Sequence, residues 1–172
     1  DYAGKEEEVG KLGKGVLVRY YDKGMMPNRG LLDELVRVCK ENNIDLITLK
    51  NDELEVVVSN YGCTLVKVLM KDQAGNVDDV VLGYDDFESY QTLDAYIGAL
   101  VGRVANRIKK GTFELNGQTY HLPINNGPNS LHGGIKGFSY QVFDYQVLDE
   151  TSVEFHYVSK DGEEGYPGEL YF

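Results

Sequence analysis

A chain of 172 residues can hold one ordinary domain with a hydrophobic core, or part of a larger one. Apolar residues make up 42 % of it, with 13 Tyr and 6 Phe, which excludes the aromatic-poor composition of a disordered chain. The net charge of −11 lacks the clustered Lys and Arg that displace counterions from a phosphate backbone, so nucleic acid is not an expected partner.

Gly13 to Gly15 leads into Val16-Leu17-Val18-Arg19-Tyr20-Tyr21, a β-branched and aromatic run of strand type. Leu31, Leu32, Leu35, Val36, Val38 and Cys39 follow at helical spacing, with Asn42-Asn43 as a stop. These residues predict a short strand–helix unit of α/β type. From Thr48 the texture changes to short strands: Glu55 to Ser59, Thr64 to Met70, Val80 to Leu82, Gly111 to Leu115, Gln118 to Leu122, Gln141 to Leu148 and Ser152 to Ser159. Asp72 to Asn76 and Asn116-Gly117 read as hairpin connections, the second because Asn-Gly accepts the positive φ angles of a primed turn. Strands at this spacing predict an antiparallel sandwich or barrel, so the fold class is mainly β. The charge changes near the same boundary. Residues 1–50 carry nine basic and nine acidic side chains, residues 51–172 eight and nineteen.

No apolar run approaches the roughly 18–20 residues of a membrane span, and the N-terminus shows no signal pattern. A soluble, cytoplasmic protein without a membrane partner is the expectation; a start at Asp1 points to processing or an excerpt. Cys39 and Cys63 sit in unlike contexts without CxxC spacing and read as reduced thiols. Three histidines without HxH or HExxH spacing predict no metal site. His121 and His156 fall inside strand-like runs and read as ordinary packed or surface residues.

His132 differs. It follows the loop Asn125-Asn126-Gly127-Pro128-Asn129-Ser130 and precedes Gly133-Gly134, where missing side chains let backbone or ligand come close. It reads as a site residue or as a turn cap. In Gly102-Arg103-Val104-Ala105-Asn106-Arg107-Ile108 an amide and a guanidinium stand side by side, the directional donors that sugar hydroxyls need. The alternative is that Arg103 and Arg107, four apart, form a solvated helical face or pair with carboxylates. Asp161-Gly162-Glu163-Glu164-Gly165-Tyr166-Pro167-Gly168 lacks the ligand pattern of a calcium loop and reads as a solvated acidic turn.

Ser59-Asn60-Tyr61-Gly62, Asp79 to Tyr84, Gly102 to Ile108, Asn125 to Gly134 and Ser159 to Gly168, in this order, resemble the aldose 1-epimerase (galactose mutarotase) family over about residues 48–172. The resemblance implies the N-terminal part of a galactose mutarotase-like β-sandwich, an aldose such as galactose or glucose as substrate, no cofactor, and sugar-binding roles for Asn106, Arg107 and His132. The family interconverts anomers: a carboxylate takes the proton of the anomeric hydroxyl, an imidazolium protonates the ring oxygen, and the ring opens and recloses. The histidine acid and glutamate base it implies lie beyond Phe172, so no catalytic residue is assigned within the chain. The expectation is an incomplete domain, inactive alone, with exposed sheet edges that invite self-association. A non-catalytic sugar-binding module is the alternative.

Gly10 to Gly15, Val18 to Asn28 and Leu31 to Ile44 resemble a short stretch of the glutamyl aminopeptidase-type dinuclear-metal aminopeptidases. That stretch holds neither a ligand histidine nor a double-glutamate motif, so peptidase activity is not implied. The expected organisation is therefore a strand–helix segment over 1–47 and an epimerase-like sandwich part over 48–172. A fusion or a metallo-aminopeptidase-derived interaction segment would account for the first.

Overall fold

The computed structural model of the chain describes residues 43–93 and 95–172. The strand–helix unit expected ahead of residue 43 lies outside the described residues, as does Cys39. The rest is mainly β, and every recorded strand pairing is antiparallel.

Four strands form one meander: β1 (Leu46–Lys50), β2 (Leu54–Ser59), β3 (Thr64–Lys71) and β4 (Val77–Asp79). The turns between them follow from short polar side chains that hold their own backbone. Asn51 Oδ1 accepts from the amides of Glu53 and Leu54, and Asp72 Oδ1 from those of Ala74 and Asn76. In β2 the side chains alternate, so Val57 and Ser59 are buried while Leu54 is exposed. The expected strand at Val80 to Leu82 is displaced to β4. Asp79 Oδ1 accepts from the amides of Val68 and Val81, and this side-chain bond bends the chain out of the ladder after Val80.

The one α-helix among the described residues, α1 (Phe87–Thr92), follows, capped by Asp86, whose carboxylate accepts from Ser89 N and Ser89 Oγ. Then come β5 (Arg107–Ile108), β6 (Thr112–Leu115), β7 (Gln118–His121) and β8 (Ser130–Leu131), with β6–β7 a hairpin and β5 paired to β8. Asn116 and Gly117 carry φ angles of 53° and 76°, the primed turn expected there. The last strands are β9 (Asp144–Asp149), β10 (Ser152–His156), β11 (Val158–Ser159) and β12 (Leu170–Tyr171). The run from Ser152 to Ser159 is split because Tyr157 exchanges backbone hydrogen bonds with Phe172, so the chain leaves β9 and takes β12 as partner.

Asn60, 3 % exposed, ties these parts together. Its Oδ1 accepts from Asp45 N at 2.7 Å, and its Nδ2 donates to Asn43 O at 2.8 Å and Phe143 O at 3.3 Å. Phe143 N in turn donates to Asn60 O and Gly62 N to Gln141 O. Residues 141–143 are spent on this junction, which is why β9 starts at Asp144 rather than Gln141. Gly62, at φ +63°, is required here: a Cβ would sit 2.5 Å from Ser139 O.

Phe143 stands at the centre of the core, 1 % exposed, with ring centroids of Tyr157, Phe172 and Phe138 at 5.0, 5.6 and 6.2 Å. A second cluster joins Ile44, Tyr61 and Phe87. Phe143→Ala is expected to lower unfolding free energy by about 3–5 kcal/mol, the usual cost of emptying an aromatic site. Urea denaturation followed by far-UV circular dichroism measures it, and a loss below about 1 kcal/mol would show that the cluster is not the core.

Candidate functional site

The loops after α1 assemble one polar edge. Residues 102–108 are not helical: Asn106 adopts φ +65° and the chain then enters β5, paired to β8 with Arg107 opposite Leu131 and Ile108 opposite Ser130. This short ladder sets Asn106 beside His132. His132 N donates to Asn106 O at 3.0 Å, and Asn106 N donates to His132 Nδ1 at 3.0 Å. A ring nitrogen that accepts carries no proton, so the neutral imidazole has its hydrogen on Nε2.

Arg107 completes the row. Its Nη1 donates to Asn106 Oδ1 at 3.1 Å and its Nε to Asn126 Oδ1 at 2.8 Å, which orients both amides. Among the described residues, no hydrogen bond engages Asn106 Nδ2, Arg107 Nη2 or His132 Nε2. Three donors from the three sequence-predicted residues are thus free on one edge, with Asn106 and Arg107 exposed and His132 half-buried. Tyr96 lies edge-on to the His132 ring, centroids 4.8 Å apart, and lines an open cleft with Tyr61, Tyr84, Tyr90, Tyr140 and Thr64. Sequence reading missed Tyr96 and Asn126; only the Asn-rich loop preceding His132 hinted at the second.

Gly133 makes the close approach possible. At φ +93° a Cβ would lie 1.5 Å from Gly102 O, so no other residue fits between the two loops. Asn125 pins the same loop from the other side, accepting from Leu131 N at 2.7 Å and donating to Leu131 O and Gly134 O.

Arg103 has a different role from Arg107. All its donors go inward: Nε to Ser159 Oγ, Nη1 to Pro167 O and Gly168 O, Nη2 to Ser159 O and Lys160 O, at 2.7–3.1 Å. The helical-face alternative therefore fails for both arginines. The solvated reading of the acidic turn is also corrected. Glu163 accepts from Tyr157 Oη at 2.5 Å and from Ser159 Oγ, Asp161 from Gly168 N at 2.5 Å, and Glu164 from Ile135 N at 2.7 Å. Burial, and then the Glu163 carboxylate, raise the Tyr157 phenol well above its ordinary value.

His121 lies in β7 beside Thr112 and His156 in β10 beside Glu154, each exposed. Burial pushes the Cys63 thiol up to about 12, which keeps it protonated and unreactive at neutral pH.

An antiparallel β domain that gathers an amide, a guanidinium and a neutral imidazole between its loops defines the class. The chain belongs to the aldose 1-epimerase family, whose pattern matches residues 45–172. The pattern of the M42 glutamyl aminopeptidases matches residues 1–64. Galactose mutarotase of Bos taurus is 54 % identical over 127 residues, 74 % of this chain and 37 % of that protein. Galactose mutarotase of Homo sapiens is 48 % identical over the same shares. Aldose 1-epimerase of Escherichia coli K12 is 35 % identical over 73 % of this chain and 36 % of its own length. Among solved structures, an aldose epimerase homologue from C. elegans superposes with a TM-score of 0.70 at 35 % identity, covering 74 % of this chain and 40 % of that one. Galactose 1-epimerase from Lactobacillus acidophilus gives 0.64 at 33 %, over 74 % and 38 %. The galactose mutarotase-like β fold expected from the sequence is thus shown, and the chain spans little over a third of the curated relatives' length.

Burial first, and then the positive charge of Arg107, lower the His132 pKa below its ordinary 6.5. The unfolded chain then binds the proton more readily than the folded one. The stability this group contributes is therefore present above about pH 6.5 and lost as pH falls through the folded value. NMR titration of the His132 ring is expected to give a midpoint below 6.5, moved upward by Arg107→Gln; a wild-type midpoint at or above 6.5 would contradict the geometry.

Proposed function

We propose that residues 48–172 form the sugar-binding part of an aldose 1-epimerase domain, which takes a free aldose such as galactose or glucose. The observation that carries this reading is the set of three unengaged donors on Asn106, Arg107 and His132. A pyranose presents hydroxyl and ring oxygens a few ångströms apart, and fixed donors of this kind distinguish their directions. The Tyr96 ring beside His132 adds an apolar surface against which the C–H face of a sugar can lie.

Within these 172 residues the imidazole at the site, His132, is neutral and bonded through Nδ1, a hydrogen-bond donor rather than a ready proton source. The acid and base that the family resemblance implies have no counterpart among them. The polypeptide therefore binds sugar without turning it over, as the non-catalytic alternative also has it. No cofactor, nucleic acid or membrane enters this reading, and among the described residues no helix is long and apolar enough to cross a membrane. A cytoplasmic location, a separate strand–helix segment over 1–47, and self-association through open strand edges such as β4 belong to the same proposal.

Titration of the 172-residue polypeptide with D-galactose, followed by 1H–15N correlation spectra, is expected to give saturable shifts at Tyr96, Asn106, Arg107 and His132. His132→Ala should weaken binding about tenfold, the loss of one good hydrogen bond, near 1.4 kcal/mol. Polarimetry of fresh α-D-galactose should show no acceleration. Measurable acceleration would refute the inactive reading, and the absence of any saturable shift would refute the sugar site.

A further inference from the structure

The acidic turn at 161–168 is the motif that the sugar-binding reading leaves unused, and its position gives it a task. Glu163 anchors the turn to Tyr157 and Ser159, and Arg103 ties Ser159, Lys160, Pro167 and Gly168 to one guanidinium. Glu164 is then the one carboxylate of this turn aimed at another loop. It adopts φ +48°, an uncommon conformation for a residue with a side chain, and its Oε2 accepts from Ile135 N at 2.7 Å. Ile135 lies three residues after His132, directly behind Gly133-Gly134. A Cβ on Gly134 would lie 2.1 Å from that same carboxylate oxygen, so the glycine leaves the space the carboxylate occupies.

The loop of His132 is therefore held by Asn106 at the ring nitrogen, by Asn125 at Leu131 and Gly134 O, and by Glu164 at Ile135 N. Asn125 holds the carbonyl and Glu164 the amide of the one peptide unit that joins Gly134 to Ile135, so the glycine pair, flexible by itself, is fixed at its far end from both sides, and loss of Glu164 frees the amide side. An ionised carboxylate is a strong acceptor for a single amide, which suits a clamp of one bond.

We propose that Glu164 is a positioning residue for the sugar site: by holding Ile135 N it fixes the 132–135 loop, so that His132 keeps its Nδ1 bond to Asn106 and presents Nε2–H outward. The proposal rests on the sugar-binding reading for its consequence, but the position of the ring can be read without sugar.

The test compares wild type, Glu164→Ala, Glu164→Gln and Glu164→Asp in the 172-residue chain. It uses three readouts: D-galactose affinity by NMR titration, the 15N shifts of the two His132 ring nitrogens, and the urea unfolding midpoint. Glu164→Gln retains a side-chain oxygen at the same reach and is expected to stay within about twofold of wild-type affinity. Glu164→Ala and Glu164→Asp lose the acceptor or its reach and are expected to weaken galactose binding at least fivefold, with the Nδ1 resonance moving away from its hydrogen-bonded position. Wild-type ring shifts and affinity in the alanine and aspartate variants, whatever happens to the unfolding midpoint, would overturn the proposal, as would equal damage from glutamine and alanine. If the alanine variant does not fold, the glutamine–aspartate pair decides by the same criteria. If wild type binds no galactose, the sugar reading fails by itself, and the ring shifts alone support or overturn the clamp.

Discussion

The guanidinium of Arg103 organises the loop side of this domain. It meets four carbonyls and one hydroxyl on a segment 56 to 65 residues away in sequence, each within 3.1 Å. Carbonyls that converge on one point have their dipoles aligned unfavourably unless a cation with donors in several directions stands among them. A planar guanidinium offers five such donors in fixed directions, whereas an ammonium offers three on a flexible stem. Because Arg103 follows Gly102, whose carbonyl Gly133 approaches too closely to allow any side chain, the same short stretch couples the acidic turn to the His132 loop.

The strand side has its own tie in Asn60. A buried amide that satisfies both its oxygen and its nitrogen on Asn43, Asp45 and Phe143 joins the meander to the residues ahead of β9 without leaving polar atoms unpaired. Phe143, whose backbone makes one of those contacts, also centres the aromatic cluster, so polar and apolar constraints act on one residue. Many large apolar side chains elsewhere are open to solvent, Leu82 at 77 % and Tyr171 at 73 % exposure among them. Contiguous apolar exposure of this kind marks a surface suited to contact.

The site shows how a fold selects a protonation state. His132 Nδ1 faces a backbone amide that can only donate, burial disfavours the imidazolium, and Arg107 adds a second positive charge nearby. All three favour the neutral ring with its proton on Nε2. The histidine thereby joins Asn106 and Arg107 as a donor, and the edge is complementary to oxygen acceptors.

Much of the architecture was legible in the sequence because it depends on local rules. The alternation in Leu54–Ser59, the Asn116-Gly117 turn and the polar turn at Asp72 each follow from a few neighbouring residues, and the ordered motifs from Ser59 to Gly168 identified the family. The family resemblance also singled out Asn106, Arg107 and His132 as a group, where their residue types alone left other roles open. The helix at Phe87–Thr92 was overlooked although Asp86 and Ser89 carry its cap, because six residues are too few to show a period. Only the tertiary structure decided that Arg103 turns inward while Arg107 turns out, that Tyr96 meets His132, and that Glu163 and Glu164 are engaged rather than solvated. Apart from Glu163, whose partners Tyr157 and Ser159 lie six and four residues back, their partners lie on other loops, often tens of residues away. The direction of a charged side chain is settled by whichever acceptors the folded chain brings within 3 Å, and no local pattern encodes that.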